Sequence, residues 1–261
     1  MNKIYDKRVP VASTLLSLLD YSFIGREVFG PGFYDHQTLE ILEYLKKTLG
    51  NKKYLYVALS YGDAECGLVL KNAIPVNVAC EINEKPIRLS VQEFLDKYSG
   101  VVPRYVRVYE AWPAISPWEA SYKTGVTQLD YFHEKITDLL NNALTSYLEG
   151  DIGATLIHVE AACKYMDDLL DLSENLSRDS HSAYGEVWVT RARELGAWLI
   201  SIRAKMRVLM FNDAVKSLRE LVPSFLDYVD NCSKKFLGEY IPRRGDKLVI
   251  LKEAELSQAL G

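Results

Sequence analysis

The feature that most constrains this chain is a run of amphipathic segments across residues 128–236. Leu129, Phe132, Ile136, Leu139, Leu140, Ala143, Leu144 and Tyr147 recur at i, i+3, i+4 and i+7. That spacing winds one apolar stripe down one side of a helix, and the stripe must be buried against another element. Similar stripes follow, and together they predict helices over about 127–148, 152–172, 186–211 and 214–236. Gly150-Asp151 supplies a stop and then an N-cap between the first two, and Asn212-Asp213 does the same between the last two. Connections this short make consecutive helices antiparallel neighbours. A polar loop over 173–185 separates the two hairpins. Pro223 falls inside the fourth helix, where it removes a donor and frees the carbonyl of Arg219.

The first 112 residues carry a different pattern. Residues 39–49 place leucines on one helical face, with Asp35 as N-cap and Gly50 as the terminating residue. Residues 54–59 are continuously apolar and aromatic, which reads as a buried strand. Gly62-Asp63 marks a turn, and 66–70 makes a return strand. Val76, Val78, Cys80 and Ile82 alternate with polar or small residues, the period of a strand with one buried face. Ser90 and Glu93 form a capping box opening a helix over 91–98, and 105–109 is one more strand. A helix is expected over 11–23, and a loop around Gly25, Gly30, Pro31 and Gly32.

These elements predict an α+β fold. A small N-terminal α/β domain (1–112) with a mostly antiparallel sheet comes first. A linker (113–125) holding Pro113, Pro117 and Trp118 follows, then an antiparallel four-helix bundle (126–238). A tail (239–261) could return to the first domain.

Composition narrows the function classes. The chain has 261 residues, 48% hydrophobic and 25% charged, so a packed core is expected. Its net charge of −4 gives no global pull toward nucleic acid or anionic lipid. No apolar run approaches the ~18 residues a membrane span needs. A cytoplasmic protein without membrane partners is expected. Cys66, Cys80, Cys163 and Cys232 show no C-x-x-C spacing. In a reducing compartment Cys66 and Cys80 are expected to stay unpaired.

Candidate chemistry is sparse. Asp63 and Glu65 follow a buried strand, a common address for an acid/base pair. His133 and His158 fall on apolar stripes of adjacent helices. Counted from the turn at Gly150 they stand roughly 13 Å apart along the helices, too far to share a metal ion. They read as core histidines, and neither a cofactor nor a metal is expected. Arg178, His181 and Tyr184 read as part of a solvated loop. Arg193, Arg203 and Arg207 line one flank of the third helix, a surface able to bind an acidic partner. Lys234, Lys235, Arg243, Arg244 and Lys247 form a second basic cluster, diluted by Glu239 and Asp246. The leading expectation is a non-enzymatic interaction or scaffold protein whose partner is another protein or a second copy. An enzyme built on Asp63 and Glu65, or nucleic-acid binding through the arginine flank, are the alternatives.

Overall fold

The computed structural model describes residues 24–29, 35–83, 85–111, 117–180 and 182–239. The expected helix over 11–23, the loop glycines beyond Gly25, Trp112, His181 and the tail arginines lie outside them. The fold is α+β, and the chain divides into two compact units. The first comprises Met1–Pro113 together with Ser146–Asp151. The second comprises Ala114–Thr145 and Ile152–Gly261.

The first unit contains β1 (Ile24–Phe29), α1 (Thr38–Leu49), β2 (Tyr54–Ser60), β3 (Ala64–Lys71), β4 (Ile74–Ile82), β5 (Lys85–Leu89), α2 (Val91–Tyr98) and β6 (Tyr105–Ala111). They build a six-stranded sheet in the order β1-β6-β2-β3-β4-β5, with each pairing antiparallel. β2 and β3 are central, which is why both are buried along nearly their whole length. Ile41 and Leu45 of α1 and Phe94 and Tyr98 of α2 pack onto Leu55, Val57, Leu68, Val78 and Val108. The capping box of α2 forms as its sequence dictates: the Glu93 N–H donates to Ser90 Oγ (3.2 Å), and the Ser90 N–H donates to Glu93 Oε2 (2.7 Å).

Several local expectations are corrected. The N-cap of α1 is Gln37, whose N–H donates to Glu40 Oε2 at 2.8 Å, and not Asp35. Gly50 ends α1 in ordinary right-handed geometry, and a Cβ there would lie 2.4 Å from the Lys46 carbonyl oxygen. The Gly25 segment is strand β1, and β5 contains Pro86 on the sheet edge, where a missing donor is tolerated. Residues 77–80 of β4 are buried on both faces, so the period of two does not separate a wet side from a dry one.

The cysteine expectation is overturned. Cys66 and Cys80 face each other in the β3–β4 ladder with a Cα–Cα distance of 4.1 Å, and they form a disulfide. That spacing belongs to a non-hydrogen-bonded antiparallel pair, where side chains approach most closely.

Ser146–Asp151 belongs to the first unit through polar contacts that the sequence does not advertise. The Tyr54 hydroxyl donates to Glu149, Lys71 Nζ lies 2.8 Å from the same carboxylate, and Asn77 Nδ2 donates to the Leu148 carbonyl at 3.1 Å.

The second unit contains α3 (Thr127–Leu148, whose last turn belongs to the first unit), α4 (Ile152–Arg178), α5 (Gly185–Arg207) and α6 (Phe211–Asp227). A π-helical stretch, Tyr228–Ser233, and the short α7 (Lys234–Gly238) follow. α4 packs on α5, and α5 on α6. Tyr131 and Phe132 of α3 bring their rings to 6.1 and 6.3 Å from Tyr165 of α4. α4 runs one and a half turns past its predicted end. Arg178 holds that extension by bonding Asn175 Oδ1 (2.9 Å) and the Glu174 carbonyl (3.3 Å), so the polar residues stay helical.

Candidate functional site

The two acid/base candidates stand in different surroundings. Asp63 is exposed in the β2–β3 turn. Glu65 is half-buried and stands directly across the ladder from Glu81. Burial, and then the charge of Glu81, push the Glu65 carboxyl above the usual range. Glu81 was not a sequence candidate, and only strand register identifies it.

The arginine flank is largely engaged. Arg193 Nη2 lies 2.7 Å from Glu174 Oε1, and Arg207 Nη2 lies 2.6 Å from Glu160 Oε1. Both pairs cross from α5 to α4 and set an antiparallel register between them. Arg203 is half-buried on the same helix.

Of the two histidines, only His133 is sequestered. It is fully buried, with Trp118, Phe225 and Tyr228 ring centroids at 6.3, 6.0 and 5.9 Å. Neither ring nitrogen has a hydrogen-bond partner among the described residues. Burial pushes the His133 pKa down to about 3, so the ring is neutral. His158, expected to face inward, is half-buried. Among the described residues no cluster of His, Cys, Asp or Glu has the composition to hold a metal ion. Nearby, the Trp188 indole N–H donates to Ser233 Oγ at 3.0 Å, and Trp188 stacks on Phe236 at 4.2 Å. These bonds lock the π-helical stretch onto α5.

The turn between α5 and α6 breaks local rules most plainly. α5 stops at Arg207, and α6 begins at Phe211. Asn212 and Asp213, expected to stop one helix and cap the next, sit inside the first turn of α6 instead. The stop is made by Leu209, which has a φ of 63°. The Met210 N–H donates to the Lys205 carbonyl (2.9 Å) and the Leu209 N–H to the Met206 carbonyl (3.1 Å). That pair of bonds is a Schellman motif with Leu209 at its left-handed position, which glycine normally fills. Val208, Leu209 and Met210 are 66%, 79% and 48% exposed. Ile157, 65% exposed, lies at the same end of the α4–α5 pair, because the ion-pair register runs toward it from Glu160.

No protein family, curated protein or solved structure matches this chain.

Proposed function

We propose that this chain is a non-catalytic interaction protein that docks onto another macromolecular surface through the α5–α6 turn. The observation that supports this reading is Leu209: a bulky side chain, 79% exposed, at a left-handed position. Left-handed geometry costs a residue with a Cβ on the order of 1 kcal/mol. Glycine would relieve that strain and remove the exposed apolar surface. A sequence that places Val, Leu and Met there instead departs from folding requirements in the direction that binding rewards.

The test is site-specific photo-crosslinking. A crosslinker at position 209 in native lysate should yield a discrete adduct that is missing from the same crosslinker at exposed Glu194. Adduct patterns at the two positions that are indistinguishable for proteins and for lipids alike would remove the reading.

An acid/base role for Glu65 is the second reading, supported by its raised carboxyl opposite Glu81. Nucleic-acid binding through Arg193, Arg203 and Arg207 draws less support, because Arg193 and Arg207 already hold carboxylates. The cytoplasmic placement belongs to the same proposal. Among the described residues no helix is long and apolar enough to cross a membrane. The Cys66–Cys80 disulfide pulls the other way, since disulfides persist mainly in oxidising compartments.

A further inference from the structure

We infer that the surface met by the α5–α6 turn is an anionic lipid interface, an inference that rests on the docking role proposed above. Shape is the first reason. Val208, Leu209 and Met210 are consecutive, exposed and placed at the tip of a helical hairpin, so the apolar surface is convex. A protein partner must offer a matching concavity to bury such a knob. The boundary between headgroups and acyl chains closes around any apolar shape pressed into it.

Charge is the second reason. The whole chain carries a net charge of −4, yet residues 203–216 hold four cations, Arg203, Lys205, Arg207 and Lys216, against one anion, Asp213. Arg207 is paired with Glu160, while among the described residues Lys205 reaches only the Ser217 hydroxyl at 3.2 Å, and Lys216 is exposed. With Glu160 of α4 counted as well as Asp213, the four cations still leave the tip cationic on a molecule that is otherwise acidic. Basic groups flanking an inserted apolar knob are what an anionic leaflet attracts, within about a Debye length of its surface. Nucleic acid would use the same cations, but it has no use for the exposed leucine between them.

The third reason is internal. α3 ends in the same pair of bonds, from Gly150 to the Tyr147 carbonyl (3.0 Å) and from Asp151 to the Ser146 carbonyl (2.9 Å), and there glycine does take the left-handed position. The chain thus closes one helix with the residue that folding prefers and the other with an apolar residue pointed at solvent.

The experiment is co-sedimentation of the full chain with phosphatidylcholine vesicles, with and without phosphatidylserine. The wild-type chain should pellet with the anionic vesicles and stay in the supernatant with the neutral ones. Leu209→Asn keeps the left-handed turn without the apolar side chain, and Lys216→Glu inverts one flanking charge. Each should weaken vesicle binding by about tenfold or more. Equal binding to neutral and anionic vesicles overturns the charge half of the inference. Undiminished binding of Leu209→Asn overturns the insertion half. A wild-type chain that ignores both vesicles overturns the lipid inference entirely. In that case a protein adduct at position 209 leaves the docking role standing with a protein occupant, and adducts no different from those at Glu194 bring both down.

Discussion

Leu209 at the end of α5 and Gly150 at the end of α3 occupy the same left-handed position in the same capping motif, with φ of 63° and 81°. The two ends therefore form a matched pair in which only one residue suits its backbone. Leu209→Asn should raise stability by about 0.5–1 kcal/mol, because Asn tolerates this geometry. Gly150→Ala should lower it by on the order of 1 kcal/mol or more for the converse reason. Urea unfolding midpoints at constant m-value measure both. A Leu209→Asn variant less stable than wild type would show that the exposed leucine contributes to folding.

His133 makes stability depend on acid. Its unfolded pKa is about 6.5, and burial holds the folded value at about 3. Between those values the unfolded chain binds a proton that the native one refuses. Stability is therefore complete above about pH 6.5 and falls as pH drops toward 3, by about 1.4 kcal/mol per pH unit once well below 6.5. At pH 5 the loss is about 2 kcal/mol. His133→Phe should flatten this slope by about one proton, read from unfolding midpoints between pH 7 and 4. An unchanged slope would place the acid sensitivity elsewhere.

The Cys66–Cys80 bond closes a loop with a sequence separation of 14. Unfolded without reductant, the protein should take up alkylating reagent at Cys163 and Cys232 alone. With reductant all four cysteines should react, and intact mass distinguishes the cases. Replacing both Cys66 and Cys80 with alanine should cost about 3 kcal/mol, from the chain entropy restored to the unfolded state.

Glu149 is the acceptor that fastens Ser146–Asp151 to the first unit. Burial acts to raise its carboxyl. The bonds from Lys71 and Tyr54, with the charges of Lys71 and Lys53, outweigh that and hold it below the usual range. A lowered folded pKa means this contribution is present above the unfolded value of about 4.3 and is lost as pH falls through the folded one. Tyr54→Phe should cost about 1–2 kcal/mol and leave the sheet intact. Slowed amide exchange at Gly150 and Asp151 in that variant would count against the assignment.

Much of the fold was legible because local periodicity carried it. Of the stripe from Leu129 to Tyr147, Leu129, Ile136, Leu140, Ala143, Leu144 and Tyr147 are buried as their spacing dictates, and Phe132 and Leu139 are partly buried. The Ser90–Glu93 box opens α2 where the residue types demand it. The strands that escaped notice, β1 and β5, are the two edges of the sheet. Edge strands are partly solvated, and β5 carries Lys85 and Pro86, so neither shows a clean period of two. The α5–α6 turn escaped for the opposite reason. Val208, Leu209, Met210 and Phe211 include no glycine, proline or asparagine to end a helix, and nothing in their identities announces a left-handed residue.

The chain by itself determined where hydrophobic faces repeat, and hence the class of each long element and the α+β order. Such faces depend only on neighbours within a turn or two. The tertiary structure alone decided which distant groups meet: Cys66 with Cys80, Glu65 with Glu81, Tyr54 with Glu149, and Leu209 with solvent. Those outcomes depend on strand register, on how helices end and on which side of a packed element faces out, quantities set by burial of the whole unit.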